Sequence, residues 1–326
     1  MARRKSNGNM KVQPSEMALT FPITTVGTNT MKTIDLSQCA SIVNRRFYRQ
    51  GLNWAVAGFS LHATAGTGSI SISRLPQSWV VSNSWEKTMR TWLKQQDEAI
   101  EDAGMESAVA RFRDFKIFMD KTHVDDGVGD NYIPYVRNNA GTGWTQYPTG
   151  EWNASLVVIP NEGGTPGNTV EYTIHMIGDD DPAPNASKGM IKAYQNSRGV
   201  PQSPDPATPP AIADNLFTQM FDVGVDNAEV IENAVDRNDN LPYSQMEYPG
   251  GDLNADGLIF HDQLTVSTTT VSGKTTCGGG TFPCGLIRLR VDPGLAQQDE
   301  TPVAWLTVHM VPGNHRGYMA ESMVEM

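Results

Sequence analysis

Apolar and polar residues alternate at period two over much of this chain, the pattern of strands that bury one face. Ile34 and Leu36 alternate with Thr33, Asp35 and Ser37, and Ile70 and Ile72 with Ser69, Ser71 and Ser73. Val170, Tyr172, Ile174 and Met176 are interleaved with Thr169, Glu171, Thr173 and His175, which predicts a strand with His175 on its wet face. Ile287, Leu289 and Val291 alternate with Arg288 and Arg290, and Leu306, Val308 and Met310 with Trp305, Thr307 and His309. Over Asn53–Leu61 the apolar residues fall on both sides, Trp54 and Val56 on one and Ala55, Ala57, Phe59 and Leu61 on the other, so a central strand covered on both faces is expected. Phe112–Met119, Ser155–Ile159 and Leu258–Thr270 are read as further strands, although short apolar runs do not by themselves separate strand from helix.

Helical spacing is rarer. Trp85, Met89, Trp92, Leu93, Ile100 and Ala103 follow a cap at Asn83 or Ser84, which predicts a helix over about 83–104 that Gly104 ends. Asp226 and Glu229 open a second, and Ile212–Phe221 suggests a third, within a helical and proline-rich segment spanning about 185–236. Asp125–Thr149 is rich in Gly, Asn and Asp and is read as a surface loop, with Tyr132, Tyr135, Trp144 and Tyr147 either packing back or anchoring a contact. Gly278–Gly280 reads as a hairpin tip, and Pro312–Met326 as a closing run that lies over its own strand edge or reaches a neighbour. The expected fold is all-β: a single jelly-roll β-sandwich over 16–326, with helices and long loops inserted between strands and a basic arm, read as disordered, over 1–15.

Charge sharpens this picture. Arg3, Arg4, Lys5 and Lys11 give the first twelve residues +4, and the remaining 21 basic residues face all 36 acidic ones, so the body carries −15. An acidic body excludes a protein that coats nucleic acid over its whole surface, so phosphate contact must be local. Candidate contacts are Arg3, Arg4, Lys5 and Lys11 of the arm and the cluster Arg45, Arg46 and Arg49, with Arg288 and Arg290 as further strand-borne charges; ordinary solvation is the plainer reading of each group. There is no signal-peptide pattern and no apolar run of about 18 residues, so no membrane association is expected. Cys39, Cys277 and Cys284 are too few for a disulfide framework; Cys277 and Cys284 stay open to a small loop, against a default of reduced thiols.

Catalytic chemistry finds no foothold. Gly58-Phe59-Ser60-Leu61-His62 lacks the second glycine of a nucleophile elbow, no phosphate loop is present, and the six histidines show no metal-ligand spacing, so no enzyme is expected. Asp252, Asn254, Asp256 and Gly257 form a D-x-N-x-D-G run able to offer oxygen ligands to a hard cation such as Ca²⁺. Gln263 stands where the bidentate carboxylate belongs, so an acidic turn before a strand is the rival reading, and no other cofactor is implied.

Three segments carry a resemblance: Leu75-Pro76-Gln77-Ser78-Trp79-Val80-Val81-Ser82-Asn83-Ser84-Trp85, Phe282-Pro283-Cys284-Gly285-Leu286-Ile287 and Val311-Pro312-Gly313-Asn314-His315-Arg316-Gly317-Tyr318-Met319-Ala320. Together they resemble the capsid proteins of small circular single-stranded DNA viruses, in particular the smacovirus-like group. The resemblance implies a jelly-roll subunit that forms an icosahedral homo-oligomeric shell around a circular DNA genome, its basic N-terminus turned toward that genome. It also implies a virion protein made inside a host cell, the nucleus being one candidate compartment, with a host receptor that the sequence does not identify. The chain departs from circovirus-like coats in lacking a long arginine-rich arm. Two rivals stand beside this reading: a β-sandwich module that binds a glycan or other ligand, with the Asp252–Asp256 run as its cation site, and a hydrolase whose carboxylates meet only in space.

Overall fold

A computed structural model describes residues 13–23, 31–108, 113–138, 143–159, 167, 169–181, 186–196, 257–295 and 302–326. The arm residues Arg3, Arg4, Lys5 and Lys11, the Asp252–Asp256 run and the expected helices beyond 200 lie outside them. In chain order the elements are β1 (Ala18–Pro22), β2 (Met31–Asp35), α1 (Leu36–Asn44), β3 (Leu52–Ala63), β4 (Gly68–Arg74), α2 (Trp79–Asp102) and α3 (Lys121–Asp126). Then come β5 (Tyr135–Arg137), β6 (Trp144–Gln146), β7 (Leu156–Ile159), β8 (Val170–His175), β9 (Ser187–Gly189) and α4 (Met190–Asn196). The chain closes with β10 (Ile259–Val266), β11 (Lys274–Phe282), β12 (Leu286–Val291), β13 (Ala304–Met310), β14 (Pro312–Gly313), β15 (Gly317–Tyr318) and β16 (Ala320–Ser322).

Strands dominate, and two antiparallel sheets form the body. The first runs β11-β3-β13-β1-β5-β6, with β16 also on β3; the second runs β10-β4-β12-β2. Their inner faces share one buried cluster, in which Phe21, Trp54, Phe59, Leu61, Leu306 and Val308 meet Ile34, Ile70, Ile72, Ile287 and Leu289. Alternation alone drives this: each strand must bury its apolar row, and the opposite sheet is the surface available to bury it.

The expected strands at 70–72, 155–159, 170–175, 287–291 and 306–310 are present, as is the central position of β3. Several readings need correction. β3 is not covered on both faces. Its register against β13 slips between Gly58 and Val56, a bulge at Ala57 that leaves Ala57 exposed and turns Trp54, Val56, Phe59, Leu61 and Ala63 all toward the core. Gly278–Gly280 lie within β11, not at a hairpin tip; a Cβ on Gly279 would overlap the Val56 carbonyl, so glycine lets the backbones close at that bulge. The strand read over 33–37 stops at Asp35, whose carboxylate accepts from the Ser37 and Gln38 amides (2.9 and 3.2 Å) and starts α1. The helix expected from 83 begins at Trp79, capped by Ser78 instead of Asn83 or Ser84, and turns out at Gly104 (φ 62°). Residues 113–119 are not a strand. They run extended, with a single bridge from Phe118 to His175, while Gln50 mimics a neighbouring strand by pairing both the Ile117 N–H (2.6 Å) and C=O (3.0 Å). The 125–149 loop contains the β5–β6 hairpin.

Between β4 and β10 the chain builds a second, separate core, where Trp85, Trp92, Phe115, Ile117, Met119, Ile174, Met176 and Ile191 pack on Cys284 and Leu286. A three-stranded sheet, β7-β8-β9, with β8 and β9 parallel, belongs to this unit. The insertion covers the outer face of the second sheet around Leu286 and Arg288, while Ser69, Ser71 and Ser73 of β4 stay half-exposed. Among the described residues no helix is long and apolar enough to cross a membrane. The closing run lies on its own chain: β16 pairs β3, and Met323 enters the second core.

Candidate nucleic-acid interface

The connector from α1 to β3 carries Arg45, Arg46 and Arg49. Arg45 closes α1 in the left-handed region (φ 52°) and is exposed, as is Arg49. Between them Tyr48 is fully buried, its ring against Trp54 (5.8 Å) and Tyr318 (5.5 Å) and its hydroxyl donating to the Arg316 carbonyl at 2.9 Å. One buried ring thus fixes a short connector and holds the arginines beside it outward. Arg46 donates to the same carbonyl at 3.4 Å, and the Arg316 guanidinium donates to the Phe47 carbonyl.

Arg316 is therefore part of the cluster. Its neighbour Tyr318 accepts from Asn44 (2.7 Å) and donates to the Glu16 carbonyl (2.6 Å), and burial pushes its phenol up to about 12. Ser15 donates to the Arg316 carbonyl at 3.2 Å, so the start of the described chain also sits here. The connector thus meets Arg316, a residue with no signal of its own in the sequence because it lies far from the connector along the chain.

Beside the cluster is a cavity of about 570 Å³, walled by Trp85, Met89, Trp92 and Leu93 of α2, by Phe115, and by Arg49, Arg113 and Arg316. The α2 residues recur at helical spacing and so share one face. Phe115 packs between Trp85 (5.9 Å) and Trp92 (5.4 Å), and the Trp92 indole donates to the Leu156 carbonyl at 2.9 Å, which fixes the aromatic wall. Arg113 pairs with Asp97 at 2.6 Å. The acid of the lining, Asp114, is raised to about 6 by burial, with Lys116 and Arg49 opposing the shift.

Other sequence candidates play different parts. Arg288 is only 4% exposed and pairs with Asp120, with Asp126 at 3.9 Å, so it is not a free phosphate contact; Arg290 is exposed. His175 is not on a wet face. It is fully buried, because the extended segment at Phe118 and the Asp179 carbonyl (3.1 Å to Nε2) close over it, and burial lowers its pKa. His123 is buried as well, accepting from the Met119 amide (3.1 Å) and paired with Asn131 (2.8 Å), and burial lowers it to about 4. Among the described residues no three His, Cys, Asp or Glu side chains gather into a metal-binding set, and Cys39, Cys277 and Cys284 are free thiols. Of the loop aromatics, Tyr132 packs into the core on Phe21, whereas Trp144 is 42% exposed and stacks on Trp305 at 4.6 Å.

The three quoted segments meet at the seam between the cores: Gly285 fits against Trp54, Trp54 contacts Tyr318, and Cys284 and Leu286 pack in the cluster that holds Leu75, Val80 and Trp85. No family model, curated protein or solved structure matches the chain.

Proposed function

We propose that this protein is a coat subunit: a jelly-roll sandwich that assembles with its own copies into a closed shell around single-stranded DNA. The observation that carries the reading is the strand order. Eight strands fall into β1-β13-β3-β11 and β2-β12-β4-β10, with successive strands crossing between the sheets everywhere except from β4 to β10, where the insertion enters. That alternation supports the reading, because it is the pattern expected of the double Greek key of a jelly roll, an architecture used by viral capsid and lectin domains.

The resemblance of the seam segments to capsid proteins of small circular DNA viruses supports the first of those uses. Arg45, Arg46, Arg49 and Arg316, which gather locally, would supply phosphate contact on an otherwise acidic molecule. Shell formation is tested by sedimentation of the purified chain: a fast, homogeneous boundary is expected, and a 35.6 kDa monomer across buffers refutes it. Deleting residues 1–12 should spare particles, reduce packaged nucleic acid and flatten the salt dependence of binding by a log–log slope of about 3. A second reading, a ligand-binding module, draws on the 570 Å³ cavity and instead requires a discrete monomer.

A further inference from the structure

We propose that the cavity between α2 and the α1–β3 connector receives one unstacked base of a single-stranded nucleic acid, while Arg49 and Arg316 at its walls hold the flanking phosphates. The inference rests on the coat-protein reading and names the place where the enclosed strand would be gripped.

Four observations support it. The volume, about 570 Å³, lies in the range that encloses small ligands. The wall of Trp85, Trp92 and Phe115 is fixed by ring contacts and by the Trp92 hydrogen bond, so the aromatic lining is in place before anything binds. Charge differs with exposure along the lining: Asp114 is half-buried and disfavours an anion beside it, Arg113 is taken up by Asp97, and Arg49 and Arg316 are exposed. A ligand with a neutral flat ring and a separate anionic group satisfies both conditions, which a free phosphate or a simple carboxylate does not. Finally, Arg46 donates to the Arg316 carbonyl and the exposed Arg45 precedes it in the chain, so further positive charge lies beside the site, as binding a polyanion requires. Duplex bases are stacked and paired and cannot enter, so the site discriminates strandedness.

The test measures anisotropy of a fluorescein-labelled 12-nucleotide mixed-sequence DNA strand, and of its duplex, on the full-length protein. Met89→Trp fills the cavity and leaves every arginine in place; Leu93→Trp is the second variant, and circular dichroism checks that each folds. Each filled variant should bind the strand about tenfold more weakly and the duplex unchanged. Arg49→Gln with Arg316→Gln should weaken both probes. On the unmodified chain, a strand carrying 5-bromodeoxyuracil should cross-link to peptides containing Trp85–Leu93. Filled variants that bind the strand like the parent, or cross-links confined to other peptides, overturn the proposal. Particles that form and package DNA despite that result leave the coat reading intact; strand selectivity through the cavity in a chain that never assembles sinks the coat reading and keeps the site.

Discussion

The body and the insertion are built by different means. In the body, regular antiparallel strands present apolar rows to each other across one shared hydrophobic cluster. The insertion joins a long helix, an irregular extended segment and a small mixed sheet, and buried polar groups fasten it to the body. Gln50 clasps Ile117, Arg288 pairs with Asp120, and Asp35 accepts from Gln50 and Trp152 (both 3.1 Å) while capping α1. Area burial tolerates small changes in shape, whereas a buried polar contact fails when one partner is lost. The body should thus be the robust unit, and the insertion should loosen first.

The largest effect is expected in the body core, beside the 283–285 turn, whose Cys284 packs against the insertion. Trp54 is fully buried and touches Tyr48, Tyr318 and Gly285, so Trp54→Ala should cost about 3–5 kcal/mol in denaturant unfolding. A loss below about 1 kcal/mol would mean that the seam is not a packed core. Arg288→Met leaves Asp120 without its buried partner and should also cost about 3–5 kcal/mol, but with faster hydrogen exchange in the insertion than in β3 and β13. Uniform acceleration would erase the distinction between the regions. Gln50→Ala orphans both Ile117 backbone groups and should cost about 1–3 kcal/mol, again expressed as exchange near 113–119.

The smallest effect is in pH. Burial raises Asp35 to about 6, so the folded state holds its proton above the unfolded value and stability falls as pH rises from about 4 to 6. Burial lowers His123 to about 4, so the unfolded state binds the extra proton and stability rises as pH goes from about 4 to 6.5. The two slopes oppose each other in the intact chain, with Asp114, also raised to about 6, adding to the falling one and His175, also lowered by burial, adding to the rising one. His123→Gln should expose the falling slope between pH 4 and 6, as seen in denaturant midpoints at successive pH values; an unchanged profile would contradict the burial of His123 as a neutral ring.

The same contrast explains what could be read in the sequence. β4, β12 and β13 were legible because Ile70 and Ile72, Ile287 and Leu289, and Leu306 and Val308 repeat every second residue. The Ala57 bulge was not, since a one-residue slip mimics a strand with two covered faces, and neither was the start of α1, where Asp35 reads as one more polar alternation. In the insertion, Phe115, Ile117 and Met119 alternate like a strand, yet their partners are the Gln50 side chain and a single bridge, which no local pattern encodes. Arg45, Arg46 and Arg49 announced themselves by clustering, but Arg316 and the cavity wall come from distant segments that meet only through Tyr48 and Tyr318.

The central claim, a shell that encloses nucleic acid, is tested most directly by electron microscopy of the purified full-length protein after nuclease treatment, followed by extraction. The account predicts uniform closed particles from which nuclease-resistant single-stranded DNA is recovered. Dispersed monomers, or closed particles that yield no nucleic acid under any assembly condition, would contradict it.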